Sequence, residues 1–299
     1  TSNVEAGRLF GAPVSGTHAH SWVMAHDSEL EAFRAFARTM PDGCVLLVDT
    51  YDVKSGVANA ITVAKEMEER GHRLAGIRID SGDLAWLSQR ARYQLDRAGL
   101  GYVQIVASND LDEYTIQSLH GQGACIDSWG VGTHLVTAYD QPALAAVYKL
   151  CAVRPAGVSS WRPVMKLSEQ LLKNTLPGPL AVRRYRDKEG IYAGDMIYLL
   201  THPPTEDLII DPIDELRRKA LPPGSFYKLL EPLSKAGETL WKRNSVLQIQ
   251  AVTRENLEQL DDSSKRLLKP HNYPVGLQRE LFELRNNLRR DYRGLDEEE

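Results

Sequence analysis

The chain has 299 residues, of which 42% are hydrophobic, so it can bury the core of one large domain or of two domains. Its 36 lysine and arginine residues against 40 aspartate and glutamate residues give a net charge of −4, which argues against a nucleic-acid partner. No stretch approaches the roughly 18 consecutive apolar residues that cross a membrane, and three widely spaced cysteines favour buried thiols over a disulfide or a zinc site. These features predict a soluble, cytoplasmic protein.

Strand patterns alternate with helical patterns over residues 1–142. The predicted strands are Ala12–Ser15, Cys44–Val48, Leu74–Ile79, Tyr102–Ala107 and Ala124–Trp129, and a helix follows each of the first four, the first from about Trp22 to Thr39. Repeated strand–helix units predict a parallel sheet, either a barrel or an open doubly wound sheet. Because no Gly-x-Gly-x-x-Gly follows the first strand, we favour an α/β fold that is an incomplete parallel α/β barrel (TIM-like), with the remaining strands upstream.

The pattern changes after residue 142. Residues 143–250 predict a β-rich segment with strands Leu144–Val153, Ala181–Arg186, Ile191–Leu200 and Lys242–Ile249, and a charged linker with a short helix over Asp207–Pro223. Residues 251–299 predict C-terminal helices, with Leu277, Leu281, Leu284 and Leu288 at helical spacing, and a disordered acidic tail, Glu297–Glu299.

Polar or glycine-rich residues follow each predicted strand of the first 142 residues. They are His20, Asp49, Asp52, Arg78, Asp80, Asn109, Asp110, Gly130, Gly132 and Thr133. In both candidate architectures ligands bind at the carboxyl ends of the strands. The sequence therefore predicts one site to which these residues converge.

Arg78 and Asp80 stand where a buried strand ends, in Gly76-Ile77-Arg78-Ile79-Asp80-Ser81-Gly82-Asp83. The guanidinium suits a carboxylate or phosphate, and the carboxylate suits ribose hydroxyls or water on a metal. The alternative is an internal ion pair that closes the strand end. Asp83 is the expected N-cap of the next helix.

Three other groups have competing interpretations. The segment Gly130–Thr133 could cradle a phosphate or be an ordinary turn, and His20 could be a base, a phosphate-accepting nucleophile or a structural residue. Asp49 or Asp52 could hold Mg²⁺ through water, because magnesium prefers one or two carboxylates together with substrate phosphates. For Asp52 the competing interpretation is a helix cap.

Six motifs, in order and spacing, resemble nicotinate phosphoribosyltransferase of the type II phosphoribosyltransferase family. They are Thr1-Ser2-Asn3, Gly16-Thr17-His18-Ala19-His20-Ser21, Val48-Asp49-Thr50-Tyr51-Asp52, Gly76 to Asp83, Ser108-Asn109-Asp110-Leu111-Asp112-Glu113 and Gly130-Val131-Gly132-Thr133. The resemblance implies phosphoribosyl transfer from phosphoribosyl pyrophosphate to nicotinate in NAD biosynthesis, coupled to ATP hydrolysis. It implies Mg²⁺ with these substrates, no tightly bound cofactor and a homodimer.

The resemblance also implies the roles of individual residues. His20 falls on the family's phosphorylatable histidine, Arg78 and Asp80 on residues that hold the nicotinate ring and ribose, and Gly130 to Thr133 on the 5′-phosphate cradle. Thr17, Ser21, Asp49, Asp52, Ser81, Asn109 and Asp110 are the further expected substrate-binding residues, with Ser21 beside Arg78 for the nicotinate carboxylate.

The family's amino-terminal part, which carries the aromatic residue that stacks on the pyridine ring, has no counterpart in this sequence. Since the chain begins at Thr1 inside a motif, we expect an upstream portion. The alternatives are a non-catalytic barrel fragment or structural subunit, and the related nicotinamide phosphoribosyltransferase, from which the Gly16–His20 pattern differs.

Overall fold

The structure, a computed structural model, describes residues 1–143, 148–168, 174–241 and 244–293. Its internal contacts divide the chain into two units, Thr1–Ala145 and Ala146–Glu299. Within the described ranges no helix is both long and apolar enough to cross a membrane.

The first unit is built on four parallel strands whose order in the sheet follows their order in the chain. The strands are β1 Val45–Leu47, β2 Gly76–Ile79, β3 Gln104–Ser108 and β4 Ser128–Gly130. The helices are α1 Val4–Phe10, α2 His20–Met24, α3 Glu29–Thr39, α4 Val53–Glu69, α5 Leu84–Arg97, α6 Glu113–Gly121 and α7 Thr133–Thr137. Because the strands are parallel, their carboxyl ends lie along one edge of the sheet.

Short polar side chains start the helices that follow the strands. Asp52, Asp83 and Asp112 each accept a hydrogen bond from a backbone N–H in the first turn, in α4, α5 and α6 respectively. The predicted cap at Asp83 is confirmed. Helix α4 also packs directly on β1, because a Cβ at Gly56 would lie 2.0 Å from the carbonyl oxygen of Val48.

Two predictions for the amino-terminal part are wrong. Ala12–Ser15 is not a strand, because its backbone does not pair with β1; Ser15 N–H instead donates to Thr1 O, and α1 precedes it. The single helix from about Trp22 to Thr39 is two helices. The break falls before Ser28, whose hydroxyl accepts from Glu31 N–H and starts α3.

The second unit contains a mixed six-stranded sheet of order β10-β9-β14-β8-β7-β11. Its strands are β7 Leu180–Arg186, β8 Tyr192–Leu199, β9 Leu208–Ile210, β10 Arg218–Ala220, β11 Phe226–Lys228 and β14 Val275–Leu277. The other described elements are two small strand pairs, β5 Ala152–Val153 with β6 Arg162–Pro163 and β12 Ser234–Lys235 with β13 Glu238–Thr239, and three helices. The helices are α8 Val246–Glu258, a 3₁₀ helix Asp262–Lys265 and α9 Arg279–Asp291.

The predicted strands Ala181–Arg186 and Ile191–Leu200 are confirmed as β7 and β8. Of the predicted strand Leu144–Val153, residues 144–147 lie outside the described residues and β5 occupies the end. The tail Glu297–Glu299 also lies outside them.

Three predictions for the second unit are wrong. Asp207–Pro223 carries no helix, because its apolar residues form β9 and pair antiparallel with β10. Lys242–Ile249 is not a strand: residues 242 and 243 lie outside the described ranges, and a capping box between Ser245 and Gln248 starts α8. Leu277 belongs to β14 rather than to a helix, since it pairs with Ile197 of β8.

Candidate functional site

Four residues form one row across the carboxyl edge of the first sheet: Asp49, Asp80, Ser108 and Gly130. The strand register sets this row, with Leu47 opposite Arg78, Ile79 opposite Ala107 and Ser108 opposite Gly130. The sequence-predicted residues after β1, β2, β3 and β4 are therefore brought together by the parallel pairing.

Asp80 is held by two neighbours in this row. Its Oδ1 accepts a hydrogen bond from Arg78 Nη2 at 2.8 Å and another from the Ser108 hydroxyl, while Arg78 Nε donates to Ser108 Oγ at 2.7 Å. Burial raises the pKa of Asp80, but the hydrogen bonds from Ser108 and Arg78 outweigh it, so the pKa lies below its ordinary value. Asp80 is therefore a fixed carboxylate at neutral pH.

The ion pair that was one interpretation of Arg78 and Asp80 is thus present. It leaves part of each side chain available: Arg78 is 25% exposed and Asp80 is 27% exposed. Among the described residues, Arg78 Nη1 and Asp80 Oδ2 make no hydrogen bond. A ligand can therefore reach one donor and one acceptor of the pair.

His20 lies beside this pair. Its Nδ1 is 3.2 Å from the hydroxyl oxygen of Thr50, and its Nε2 is 3.8 Å from Asp80 Oδ2. The side chain is 41% exposed, so the ring contacts both the site and solvent. The arrangement presents an imidazole next to a carboxylate at the carboxyl edge of the sheet.

Asp49 and Asp52 have different surroundings. Asp49 Oδ2 accepts from Asp80 N–H at 2.9 Å and from Ser81 Oγ at 2.6 Å, and its buried Oδ1 has no hydrogen-bond partner. Asp52 Oδ2 accepts from both the N–H and the hydroxyl of Ser55, each at 2.8 Å, as the cap of α4. Asp49 therefore offers an unused buried acceptor at the site, whereas the capping of α4 is sufficient to explain an aspartate at position 52.

The backbone after β3 is unusual. Asn109 and Asp110 have φ values of 100° and 38°, in the left-handed half of conformational space where residues other than glycine are uncommon. Both side chains are exposed, directly after Ser108. Strained backbone at a ligand-binding edge is typical of functional sites.

The two glycines after β4 have different surroundings. A Cβ at Gly130 would lie 3.2 Å from Ser108 Cβ, so this glycine allows β4 to approach β3 closely. A Cβ at Gly132 would meet no atom within 4 Å, which leaves open space before Thr133, the first residue of α7. Open space and exposed backbone suit the predicted phosphate cradle better at Gly132 than at Gly130.

Thr17 and Ser21 flank His20 in the chain but have separate surroundings. The Thr17 hydroxyl donates to Val45 O at 2.8 Å, at the edge of β1. Ser21 is exposed on α2. The donor of Thr17 is therefore used within the fold, while Ser21 is accessible to a ligand.

Sequence reasoning missed two residues of this site, Ser108 and Thr50. Ser108 bridges Arg78 and Asp80, and Thr50 contacts His20. The signal for both was their place in or next to a predicted strand end, where a hydroxyl can face the same ligand as its charged neighbours.

A further carboxylate is buried near these groups. Glu29, at the start of α3, accepts from Asn59 Nδ2 of α4 at 2.9 Å, and its buried Oε1 has no partner. Burial raises the pKa of Glu29; the Asn59 hydrogen bond opposes this, and repulsion from Asp52 and Asp49 adds to it. Within the described residues, no group of three or more His, Cys, Asp or Glu side chains is arranged to hold a metal ion.

Two family models match the chain. The nicotinate phosphoribosyltransferase (NAPRTase) family matches residues 1–191, and the nicotinate phosphoribosyltransferase C-terminal domain matches residues 181–285. Together they cover both units described above.

Similar proteins carry the same name. The chain is 43% identical over 289 residues to nicotinate phosphoribosyltransferase of Bacillus subtilis, covering 94% of this chain and 58% of that protein. It is 32% identical over 349 aligned residues to the Caenorhabditis elegans enzyme of that name, covering 96% of this chain and 61% of the relative.

Among solved structures, human nicotinic acid phosphoribosyltransferase matches with a TM-score of 0.72 at 28% identity, covering 96% of this chain and 64% of that one. The chain therefore spans less than two thirds of the length of these relatives. The likeness supports the mixed α/β fold with a parallel sheet and a β-rich region.

Proposed function

The chain belongs to the nicotinate phosphoribosyltransferase family, and from this premise we propose that it carries the site that transfers phosphoribose from phosphoribosyl pyrophosphate to nicotinate. The products are nicotinate mononucleotide and pyrophosphate, a step of NAD biosynthesis. The observation that carries the proposal is the row Asp49, Asp80, Ser108 and Gly130 with His20 beside it.

In the transfer, the bond from ribose C1′ to pyrophosphate breaks and a bond from C1′ to the pyridine nitrogen forms. Positive charge develops on the ribose as pyrophosphate leaves, so a fixed carboxylate nearby stabilises the transition state. Asp80 suits this role because its lowered pKa keeps it ionised and Arg78 and Ser108 fix its orientation.

The carboxylate of nicotinate and the 5′-phosphate both need hydrogen-bond donors. Arg78 Nη1 and the Ser21 hydroxyl suit the carboxylate of nicotinate, because the Nε and Nη2 atoms of Arg78 already bond to Ser108 and Asp80. The exposed backbone at Gly132 and the Thr133 hydroxyl suit the phosphate, and Asn109, Asp110 and Ser81 border the same edge.

The residues present also fit Mg²⁺ bound together with substrate phosphates. Asp49 would hold the ion through its unpartnered Oδ1. Asp52 would contribute less, because its Oδ2 already caps α4. When bound, Mg²⁺ neutralises charge on the leaving pyrophosphate. No tightly bound cofactor is required by this scheme.

Coupling to ATP is assigned to His20. With Nδ1–H donating to Thr50 Oγ1, Nε2 carries the lone pair and attacks the γ-phosphorus of ATP. The bond from that phosphorus to the oxygen of ADP breaks, giving ADP and phosphohistidine. The phosphoryl group adds negative charge beside the substrate edge and orders the residues around it.

The remaining parts of the proposal follow from family membership. The sequential parallel order of β1 to β4 supports one arc of a TIM-like barrel, in preference to a doubly wound sheet whose order reverses. The same proposal includes a homodimer, a cytoplasmic location and a site completed by residues beyond this chain.

The test is product formation by the purified protein with phosphoribosyl pyrophosphate, ATP, Mg²⁺ and either nicotinate or nicotinamide. Nicotinate mononucleotide from nicotinate, with nicotinamide at least ~100-fold less efficient in kcat/KM, is the expected result. Preference for nicotinamide would instead identify the related enzyme. No product from either base, with normal unfolding of the protein, would support a non-catalytic fragment.

A further inference from the structure

Side chains, not another strand, hydrogen-bond to the edge of β1 that faces away from β2. Cys44 O accepts from Ala75 N–H and Val48 N–H donates to Arg78 O, so these residues point their backbone groups toward β2. In a parallel strand, alternate residues point to opposite sides. Val45 and Leu47 therefore direct their backbone groups away from β2, at the edge of the four-stranded sheet.

Two side chains bond to these outward groups. Thr17 Oγ1 donates to Val45 O at 2.8 Å, and Leu47 N–H donates to His18 Nε2 at 3.2 Å. His18 is 6% exposed and Leu47 is 1% exposed. Because water has little access there, loss of the imidazole acceptor would leave a buried N–H without a partner.

The imidazole of His18 is held by hydrogen bonds at both ring nitrogens and by aromatic packing. It packs on Phe33 and Phe36 of α3, with ring centroids 5.8 Å and 4.8 Å away. Its Nδ1 lies 3.3 Å from Ala19 O, so Nδ1–H donates there while Nε2 accepts from Leu47. Burial lowers the pKa of His18, and the nearby Arg78 and His20 lower it further, although the bond to Ala19 opposes the shift.

This anchor is adjacent to the site. Only Ala19, the N-cap of α2, separates His18 from His20. The attachment of His18 to β1 therefore fixes the backbone position of His20, close to Thr50 and Asp80. The two histidines lie in the same turn, but of the two only His20 contacts Asp80 among the described residues.

We propose that His18 is a positioning residue: its Nε2 accepts the outward N–H of Leu47, fixes the Gly16–Ser21 turn on the edge of β1, and thereby holds His20 at Thr50 and Asp80. The effect on phosphorylation rests on the proposed function of His20. The anchor itself is independent of that function.

The test compares His18→Gln, whose amide oxygen can accept from Leu47, with His18→Leu, which fills the space without an acceptor. In His18→Leu we expect exchange of the Leu47 amide proton to accelerate at least ~10-fold, the ring-nitrogen NMR shifts of His20 to change, and labelling of His20 by ATP to slow at least ~10-fold. His18→Gln should restore all three measurements to within ~3-fold, or to the wild-type shifts.

His26→Leu is the matched control, because His26 packs on Trp22 and bonds to its carbonyl without a bond to β1 among the described residues. It should change none of the three. Unchanged Leu47 exchange and His20 shifts in His18→Leu would overturn the anchor, and equal defects in His18→Gln and His18→Leu would overturn the acceptor role.

Faster Leu47 exchange with wild-type His20 shifts would overturn positioning. A wild-type protein that takes no label would contradict the proposed function of His20. The exchange rate and the ring shifts would still decide the anchor and its effect on His20.

Discussion

Nε2 of His20 lies 3.8 Å from Oδ2 of Asp80, which joins the turn before β1 to the end of β2. The contact brings the proposed phosphate acceptor next to the carboxylate that we propose faces the ribose. Phosphorylation of His20 would add negative charge beside Asp80, and that charge must be balanced by Arg78 or Mg²⁺, because the substrates are themselves anions. In the proposed mechanism, this contact is how ATP would change substrate binding.

Ser108 is expected to matter for catalysis more than for stability. Ser108→Ala removes the group that bridges Arg78 Nε and Asp80, so burial raises the pKa of Asp80 and its orientation loosens. We expect kcat/KM for phosphoribosyl pyrophosphate to fall about 10- to 100-fold. Ser128→Ala, at an exposed position of β4, is the control and should retain wild-type kinetics. Equal kinetics in both variants would show that the bridge has no catalytic role.

Gly132 is expected to tolerate a side chain in the fold but not in the complex. A Cβ at Gly132 would meet no atom within 4 Å, so the unfolding midpoint of Gly132→Val should stay near wild type. The dissociation constant for phosphoribosyl pyrophosphate should rise at least ~10-fold, because the side chain blocks the backbone donors. Gly121→Val, also in open space but at the end of α6, should bind normally. Unaltered affinity in Gly132→Val would show that Gly132 is not part of the phosphate cradle.

Glu29 is expected to make stability depend on pH. Since its pKa is raised in the fold, the contribution of Glu29 to stability is most favourable below the ordinary pKa of about 4.3 and is lost as pH rises through the raised value. Glu29→Gln does not titrate, so it should be more stable than wild type at pH 8, and this advantage should shrink toward pH 4. Urea unfolding at several pH values measures the difference.

Glu31→Gln, at an exposed position two residues later, is the control and should follow the wild-type curve. A Glu29→Gln variant less stable than wild type at pH 8 would mean that the ionised carboxylate is paired with a cation, and would contradict the explanation by burial.

Cys44 is expected to resist thiol reagents. Burial raises its pKa to about 11, so roughly one thiol in a thousand is ionised at pH 8, whereas Cys125 and Cys151 are partly exposed. Ellman's reagent should therefore titrate two thiols in the native protein and the third only after denaturation. In Cys44→Ser the native titre should stay at two. A native titre of three would contradict burial of Cys44.

The sequence predicted those parts of the fold that depend on local pattern. Asp83 stands immediately before an amphipathic helix, and β7 and β8 have enough apolar and aromatic residues to be recognised. The first turn of helix α8 was missed although Ser245 and Gln248 form a capping box, because residues up to Ile249 were assigned to a strand; the end of α8 falls in the segment predicted to be helical. The three-residue strand β14 depends on pairing with β8, which its local sequence does not reveal.

The same limit applies to the site. Charged residues after buried strands identified Arg78, Asp80 and Asp49, because charge at such a place is unusual. The role of Ser108 could be recognised only from the register between β2 and β3. The hydrogen bond from Thr17 to β1 could be recognised only from the path of the turn before β1. The orphaned Oδ1 of Asp49, which separates it from Asp52, is visible only in three dimensions.

The most direct test of the account is transfer of label from γ-³²P-ATP to the protein in the presence of Mg²⁺. The account predicts an acid-labile, base-stable label on His20, absent in His20→Asn, together with loss of ATP stimulation. Slow, ATP-independent formation of nicotinate mononucleotide should persist in that variant, because Arg78, Asp80 and Gly132 remain. A label that survives in His20→Asn, or that maps to His18, would contradict the account.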